Sequence, residues 1–293
     1  MDLKEYKEAG RIAAEALLFG KKLVKEDVLI NDVVRKIEQF ITDNNAKCAF
    51  PVSIALNNVA AHKYYGVENS DRFFEGDLVK LDVGVHVRGF IADNAITINV
   101  KDDRDLELIR ASKEALREAL NLMTPGRKIC EVGKAVEEVI VGYGFNPIRN
   151  LSGHEVEKYL LHAGLTIPNF DNGDQTELEE GQVFAVEPFS TTGIGKVYSA
   201  GDSGIYRIQE LKSIRLGREV LKYIYENYRE LPFTKDWLKG SFDEFKLNSG
   251  FRFLLQQDVL HKYSILSEKE NKRVSQSEHT VVVMDKPIVL TKI

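Results

Sequence analysis

Residues Glu75–Asp93, EGDLVKLDVGVHVRGFIAD, decide how the rest of the chain is read. Apolar positions alternate through Leu78, Leu81 and Val83, then Val85 and Val87, then Phe90 and Ile91, with Arg88-Gly89 between them. Alternation broken by a two-residue turn signal predicts a β-hairpin. Asp82 lies inside the apolar outgoing strand, and Asp93 follows on the returning one. A buried ionised carboxylate is costly unless something positive compensates it. Two of them brought together need a cation between them, or one must hold a proton.

A second stretch echoes the first. Glu75-Gly76-Asp77-Leu78-Val79-Lys80-Leu81-Asp82 lines up with Glu180-Gly181-Gln182-Val183-Phe184-Ala185-Val186-Glu187. Each has Glu-Gly, a polar residue, an apolar strand, and a carboxylate six positions after the glycine. A match this short is compatible with chance as well as with duplication. If it is duplication, two half-domains each push one acid into a shared centre.

A chain of 293 residues with 43% hydrophobic content can bury a sizeable core as one large domain or two small ones. A net charge of −5 gives no general electrostatic case for nucleic acid or membrane surfaces. Cys48 and Cys130 have no metal-binding or redox spacing and read as reduced thiols. The opening MDLKEYKEAG lacks the apolar stretch of a signal peptide, and no run is long enough to span a bilayer. The expectation is a cytoplasmic protein without membrane contact.

Helical spacing appears over 3–22 and again over Ile30, Val33, Val34, Ile37, Phe40 and Ile41. The segment CAFPVSIALNNVAAH reads as strand and turn leading into His62. A long helix is predicted from Asp103 to Leu122, broken by Thr124-Pro125-Gly126, and another over 129–140, ended by Gly142 and Gly144. Each acidic strand set is thus preceded by a helix pair, an α+β pattern. The Gly-rich run 190–204 leads into a charged, aromatic and mostly helical segment, read as an inserted subdomain over 205–272. HTVVVMD (279–285) and IVLTKI (288–293) return to the main sheet. The catalytic body is therefore expected at 1–204 plus 273–293.

The chemistry gathers on few residues. Asp82, Asp93, Glu187 in FAVEPF and Glu278 in SEHTVVV are acids in strand contexts, and His154 follows a glycine that lets the backbone approach a site. Taken singly, each reads as an ordinary strand-end carboxylate or structural histidine. Together, four carboxylates and one imidazole suit a pair of divalent ions, Co, Mn, Fe or Zn. His62 and His162 also lie in unusual sequence, whereas His86 and His261 read as solvated or structural.

LDVGVHVRGFIAD, SGHEVEKYLLHAG, FAVEPF and SEHTVVV, in this order and preceded by AFPVSIALNNVAAH, resemble the methionine aminopeptidases. The segment between Glu187 and Glu278 resembles the helical insertion of the type II, archaeal-like enzymes, where it is winged-helix-like. The resemblance covers nearly the whole chain and implies the pita-bread fold, two pseudo-symmetric halves around a curved antiparallel sheet. It implies that Asp82 holds one ion in bidentate fashion, that Asp93 and Glu278 bridge two, and that His154 and Glu187 complete the second. It further implies Glu187 as proton carrier, His162 at the carbonyl oxygen and His62 at the scissile amide nitrogen. Phe50, Leu161 and Tyr263 would line the methionine pocket. The implied activity is removal of the initiator methionine from nascent chains with a small second residue, by a monomer that docks on the ribosome if at all. One departure is Lys63-Tyr64-Tyr65-Gly66, where many relatives have Tyr-Thr-Pro. The rivals are an Xaa-Pro peptidase of the same fold, usually with a further N-terminal domain, and a non-catalytic ribosome- or RNA-binding relative.

Overall fold

In the computed structural model, which describes residues 2–292, the helices Leu3–Leu23 (α1) and Ile30–Asp43 (α2) precede the strands Lys47–Cys48 (β1), Ser53–Leu56 (β2) and Val59–Ala61 (β3). The acidic hairpin follows as Leu78–Val87 (β4) and Phe90–Asn99 (β5). Its turn is Arg88-Gly89, with φ of 51° and 94°, the doubly positive turn whose twist matches a hairpin. His86 is buried and its Nδ1 accepts the Gly89 N–H at 3.1 Å, a structural role in that turn.

The second half repeats the plan. Leu106–Asn121 (α3) and Ile129–Gly142 (α4) precede Asn146–Pro147 (β6), Ser152–Glu155 (β7), Thr166–Pro168 (β8), Val183–Val186 (β9) and Phe189–Thr191 (β10). The chain then runs through Tyr198–Ile208 (β11), Arg218–Tyr228 (α5), Phe233–Thr234 (β12), a 3-10 turn at Lys235–Leu238 and Glu244–Gln256 (α6). Leu260–Ser267 (β13), Val274–Gln276 (β14), Glu278–Val282 (β15) and Ile288–Val289 (β16) complete it.

The main sheet runs β1-β4-β5-β15-β9-β7-β8, antiparallel at every pairing. Its centre is the β5-β15 contact, so the two halves meet there. Leu81, Val83 and Val85 point to one face, where α1 and α2 cover them. Phe184, Val186 and Val281 do the same under α3 and α4. The echo seen in sequence has a counterpart in the backbone. Gly76 and Gly181 share a left-handed φ of 86° and 90°. Gly76 N–H bonds Val100 O while Val100 N–H bonds Asp77 O. Gly181 and Val283, Val283 and Gln182 make the same two bonds.

β11 starts inside the Gly-rich run and continues across 204/205 into the following segment. β11 pairs with β13, and β13 with β3, so the inserted segment shares a sheet with the residues leading to His62. The segment is also less helical than its composition suggests, since exposed polar residues hide the alternation of these strands. The C-terminal run contributes only the short strand β16 among the described residues.

Candidate metal centre and substrate pocket

Strand register alone brings the acids together. Asp82 lies opposite Ala95 on β5, and Ala95 opposite Glu278 on β15. Glu187 stands one residue beyond the His279-Val186 pair, at the end of β9. Directly paired residues share a face and neighbouring strands are about 4.8 Å apart. One lateral row thus carries Asp82, Glu278 and Glu187 on the side away from the helices. Asp93 is two residues from Ala95, and His154 pairs with Ala185, two residues from Glu187, so both share that side. Ala95, Ala185 and Gly84 occupy the remaining near positions and leave room.

His154 Nε2 is 3.9 Å from Asp93 Oδ2 and 3.7 Å from Glu187 Oε1. One ligand atom each from Asp93, His154 and Glu278 lies within 4.8 Å of the others. Asp82 is within hydrogen-bonding reach of Asp93. Burial pushes Asp82 up to about 7. Burial first, then the neighbouring carboxylates, holds Asp93 and Glu278 well above the ordinary range, and Glu187 likewise through burial and Asp82. Asp82 Oδ1, Asp93 Oδ1 and Glu278 Oε2 are buried with no hydrogen-bond partner. Buried orphan acceptors are rare in folded proteins. Several together, mutually repelling and beside an imidazole, fit divalent cations.

One cavity collects all ten residues singled out from the sequence: the five above with His62, His162, Phe50, Leu161 and Tyr263. Phe50 reaches it by lying over Gly84, where a side chain would collide with the ring at 2.1 Å. The imidazoles form a chain, with His154 and His162 centred 4.4 Å apart and Tyr263 5.3 Å from His62. His62 is held at φ 61°, in the left-handed region that few non-glycine residues adopt. Burial lowers His62 and His154 to about 4. His162 is also lowered, by its packed surroundings and then by His154 and His62, while one side of its ring stays open to solvent. Burial thus favours the neutral form of His62 and His154.

Four contributors lie outside the sequence reading. Gln276 Nε2 donates to Glu187 Oε2 at 3.1 Å and its amide also favours the ionised form of Asp82. Thr280 clamps Asp93, its Oγ1 accepting the Asp93 N–H at 2.7 Å and its hydroxyl donating to the Asp93 carbonyl at 2.8 Å. Both alternate with Glu278 in QSEHT, a period-2 signal that was available in the sequence. Ile205 and Pro232 line the cavity from the inserted segment, and no local pattern points to them. A larger open cleft of about 680 Å³ lies elsewhere, between α2 and α5, and holds none of these residues.

Residues 4–222 match the model of metallopeptidase family M24. A methionine aminopeptidase of Pyrococcus abyssi is 41% identical, the match covering 99% of both chains. That of Methanothermobacter thermautotrophicus is 38% identical over 96% of this chain and 95% of that protein. Among solved structures, a thermophilic Arx1 superposes with a TM-score of 0.85 at 18% identity, covering 98% of this chain and 90% of that one. The Thermotoga maritima methionine aminopeptidase gives 0.73 at 23%, covering 100% and 97%. The Pyrococcus furiosus prolidase gives 0.64 at 20%, and the match covers only 64% of its longer chain. These structures share the fold. The chain belongs to metallopeptidase family M24.

Proposed function

We propose, from membership of that family, that the chain removes the N-terminal methionine from peptides and nascent polypeptides, favouring a small second residue. The observation that carries the reading is the convergence of four carboxylates and His154 on one face, against a cavity walled by Phe50, Leu161, Ile205 and Pro232. Apolar walls suit a flexible thioether. The archaeal relatives named methionine aminopeptidases, 36–41% identical across nearly the full chain, support this substrate over a prolidase.

In this reading Asp82, Asp93, His154, Glu187 and Glu278 would hold the divalent ions, Asp82 at one end and His154 with Glu187 at the other. Bound ions supply a Lewis acid for the scissile carbonyl and a water that ionises near neutral pH. Glu187 takes up the proton and returns it to the leaving amine. His162, at the open side, donates its single N–H to the carbonyl oxygen as charge develops there. His62 contacts the scissile amide nitrogen. The free α-amine of the substrate sits at the Asp82 end, which restricts cleavage to a terminal residue. Co, Mn, Fe and Zn all suit this donor set, and availability decides among them. We read 205–272 as an inserted unit around its own core of Leu221, Ile224, Phe233, Phe251 and Leu254. We place the protein in the cytoplasm as a monomer acting on chains leaving the ribosome, which co-sedimentation tests.

The decisive experiment is cleavage of a Met-Gly-Ser peptide by metal-stripped protein with and without Co or Mn, beside an Ala-Pro dipeptide. Metal-dependent release of methionine alone, lost in His154→Ala, is the expected result. Cleavage of Ala-Pro instead, or no turnover with metal bound, overturns it.

A further inference from the structure

The ribbon formed by β11 and β13 closes one side of the pocket, and its pairing sorts side chains by face. Ile205 lines the cavity, and Arg207, two residues on, points to the same side. Arg207 pairs with His261, and Tyr263, two residues further, is again a cavity residue. The intervening Tyr206 and Lys262 turn away, Tyr206 into the insertion's core and Lys262 to Asp202 at 2.9 Å. Arg207 has no such acid. Its Nη1 donates to the Ile208 carbonyl at 3.2 Å, its guanidinium reaches the Tyr263 hydroxyl, and among the described residues it makes no ion pair. It remains half-buried and open to solvent.

Arg207 and His261 thus stand on the cavity side of the ribbon with no carboxylate partner among the described residues. The Tyr263 ring separates them from the catalytic end, 5.3 Å from His62 on one side and 5.1 Å from His261 on the other. An extended peptide advances about 3.3 Å per residue. A group on the far side of that ring lies up to three extended residues beyond the scissile bond, within reach of the third residue's side chain.

We propose that Arg207, with His261 beside it, forms a subsite for a carboxylate on the substrate downstream of the cleaved bond, an acidic side chain at the third residue. This rests on the aminopeptidase reading and adds to it a preference that the metal centre cannot supply. A partly exposed ion pair is weak, so the preference is modest, about three- to fivefold.

The test compares kcat/KM of the Mn-loaded protein for Met-Gly-Asp-Ser-amide, Met-Gly-Ser-Ser-amide, Met-Gly-Lys-Ser-amide and the free acid Met-Gly-Ser. The expected order is Asp over Ser over Lys, expressed in KM rather than kcat and shrinking as salt is raised. Arg207→Gln brings the Asp:Lys ratio close to one, and Arg207→Lys retains it. An Arg207-dependent gain confined to the free tripeptide acid supports the same subsite and assigns it to a chain end. An Asp:Lys ratio that is one in the parent protein, or unchanged in Arg207→Gln, overturns the proposal while methionine release continues. Failure to cut any of the peptides removes the reading beneath it as well.

Discussion

Asp82 illustrates what a single residue can disclose. Its neighbours Leu81 and Val83 are fully buried, and its own carboxyl has an oxygen with no partner. Burial raises the pKa of all four acids above the unfolded range, so folding without cations retains protons that the unfolded chain has released. The stability those protons allow is fully present below pH ~4, the unfolded carboxylate range, and is lost as pH rises through the folded values, near 7 for Asp82. Metal-free protein should therefore melt at a lower temperature at pH 8 than at pH 6. Added Mn should reverse the order of the two, with its larger stabilisation at pH 8. Equal melting temperatures at both pH values in stripped protein would count against a shared buried acid cluster. Gln276 acts on the same acids. In Gln276→Leu the oxygen of Glu187 that now accepts its N–H is left unpaired. Mn affinity by calorimetry should fall at least about tenfold, as for other groups that orient metal ligands. Unchanged affinity would reduce Gln276 to a space filler.

At the scale of elements, the site depends on how closely strands approach one another. Gly153 lets β7 lie against β9, for a Cβ there would stand 2.4 Å from the Ala185 carbonyl oxygen. Ala185 is also the residue paired with His154. Gly153→Ala should push the strand end away and move the imidazole from Asp93 and Glu187. Activity should drop by about 10²-fold, the scale associated with a misplacement near 1 Å, while the far-ultraviolet circular dichroism is kept. Gly142→Ala, at the end of α4 with nothing within 4 Å, is the matched control and should change stability by less than about 1 kcal/mol. Equal losses in both would mean that the close approach is not what matters. The difference between these two glycines also marks what the sequence could disclose. The β4-β5 hairpin, its turn and the helix pairs are legible because their periodicity is local, and the Gly-carboxylate echo is legible for the same reason. The pairing of β15 with β5 joins residues almost two hundred positions apart, that with β9 residues almost one hundred apart, and no periodicity encodes either register. Thr280 on Asp93 and Arg273 on Asp105 are likewise long-range polar partners, visible only after folding. The ten candidate residues, which line one cavity, are legible from motif order and resemblance. The cavity walls Ile205 and Pro232 are not, because their neighbours in sequence belong to another core.

At the scale of the whole molecule, the question is how the inserted segment holds its side of the pocket. It brings Ile205, Pro232 and Tyr263 to a cavity whose acids belong to the two halves. One attachment is the β13-β3 pairing, Leu266 with Ala61, next to His62. Others are polar: Asp236 Oδ2 accepts the Val67 N–H at 3.0 Å, Lys239 pairs with Glu68 at 3.0 Å, and the Trp237 indole N–H donates to Glu38 Oε2 at 3.1 Å across the α2 cleft. Glu38 is pushed up to about 7 by burial, and its second oxygen has no side-chain donor. Trp237→Phe removes the only indole N–H in the chain and leaves that carboxyl without its donor. The expected cost is about 1–3 kcal/mol in denaturant unfolding. If the Trp237 contact is needed to fix the wall, the loosened segment should raise KM for a methionyl peptide while kcat changes little, since the candidate ligands in the two halves are untouched. A destabilised variant with unchanged KM would show that the segment's remaining attachments suffice to position Tyr263. A fall in kcat at unchanged KM would mean that the insertion reaches the acids themselves, and the division of labour between walls and ligands would have to be redrawn.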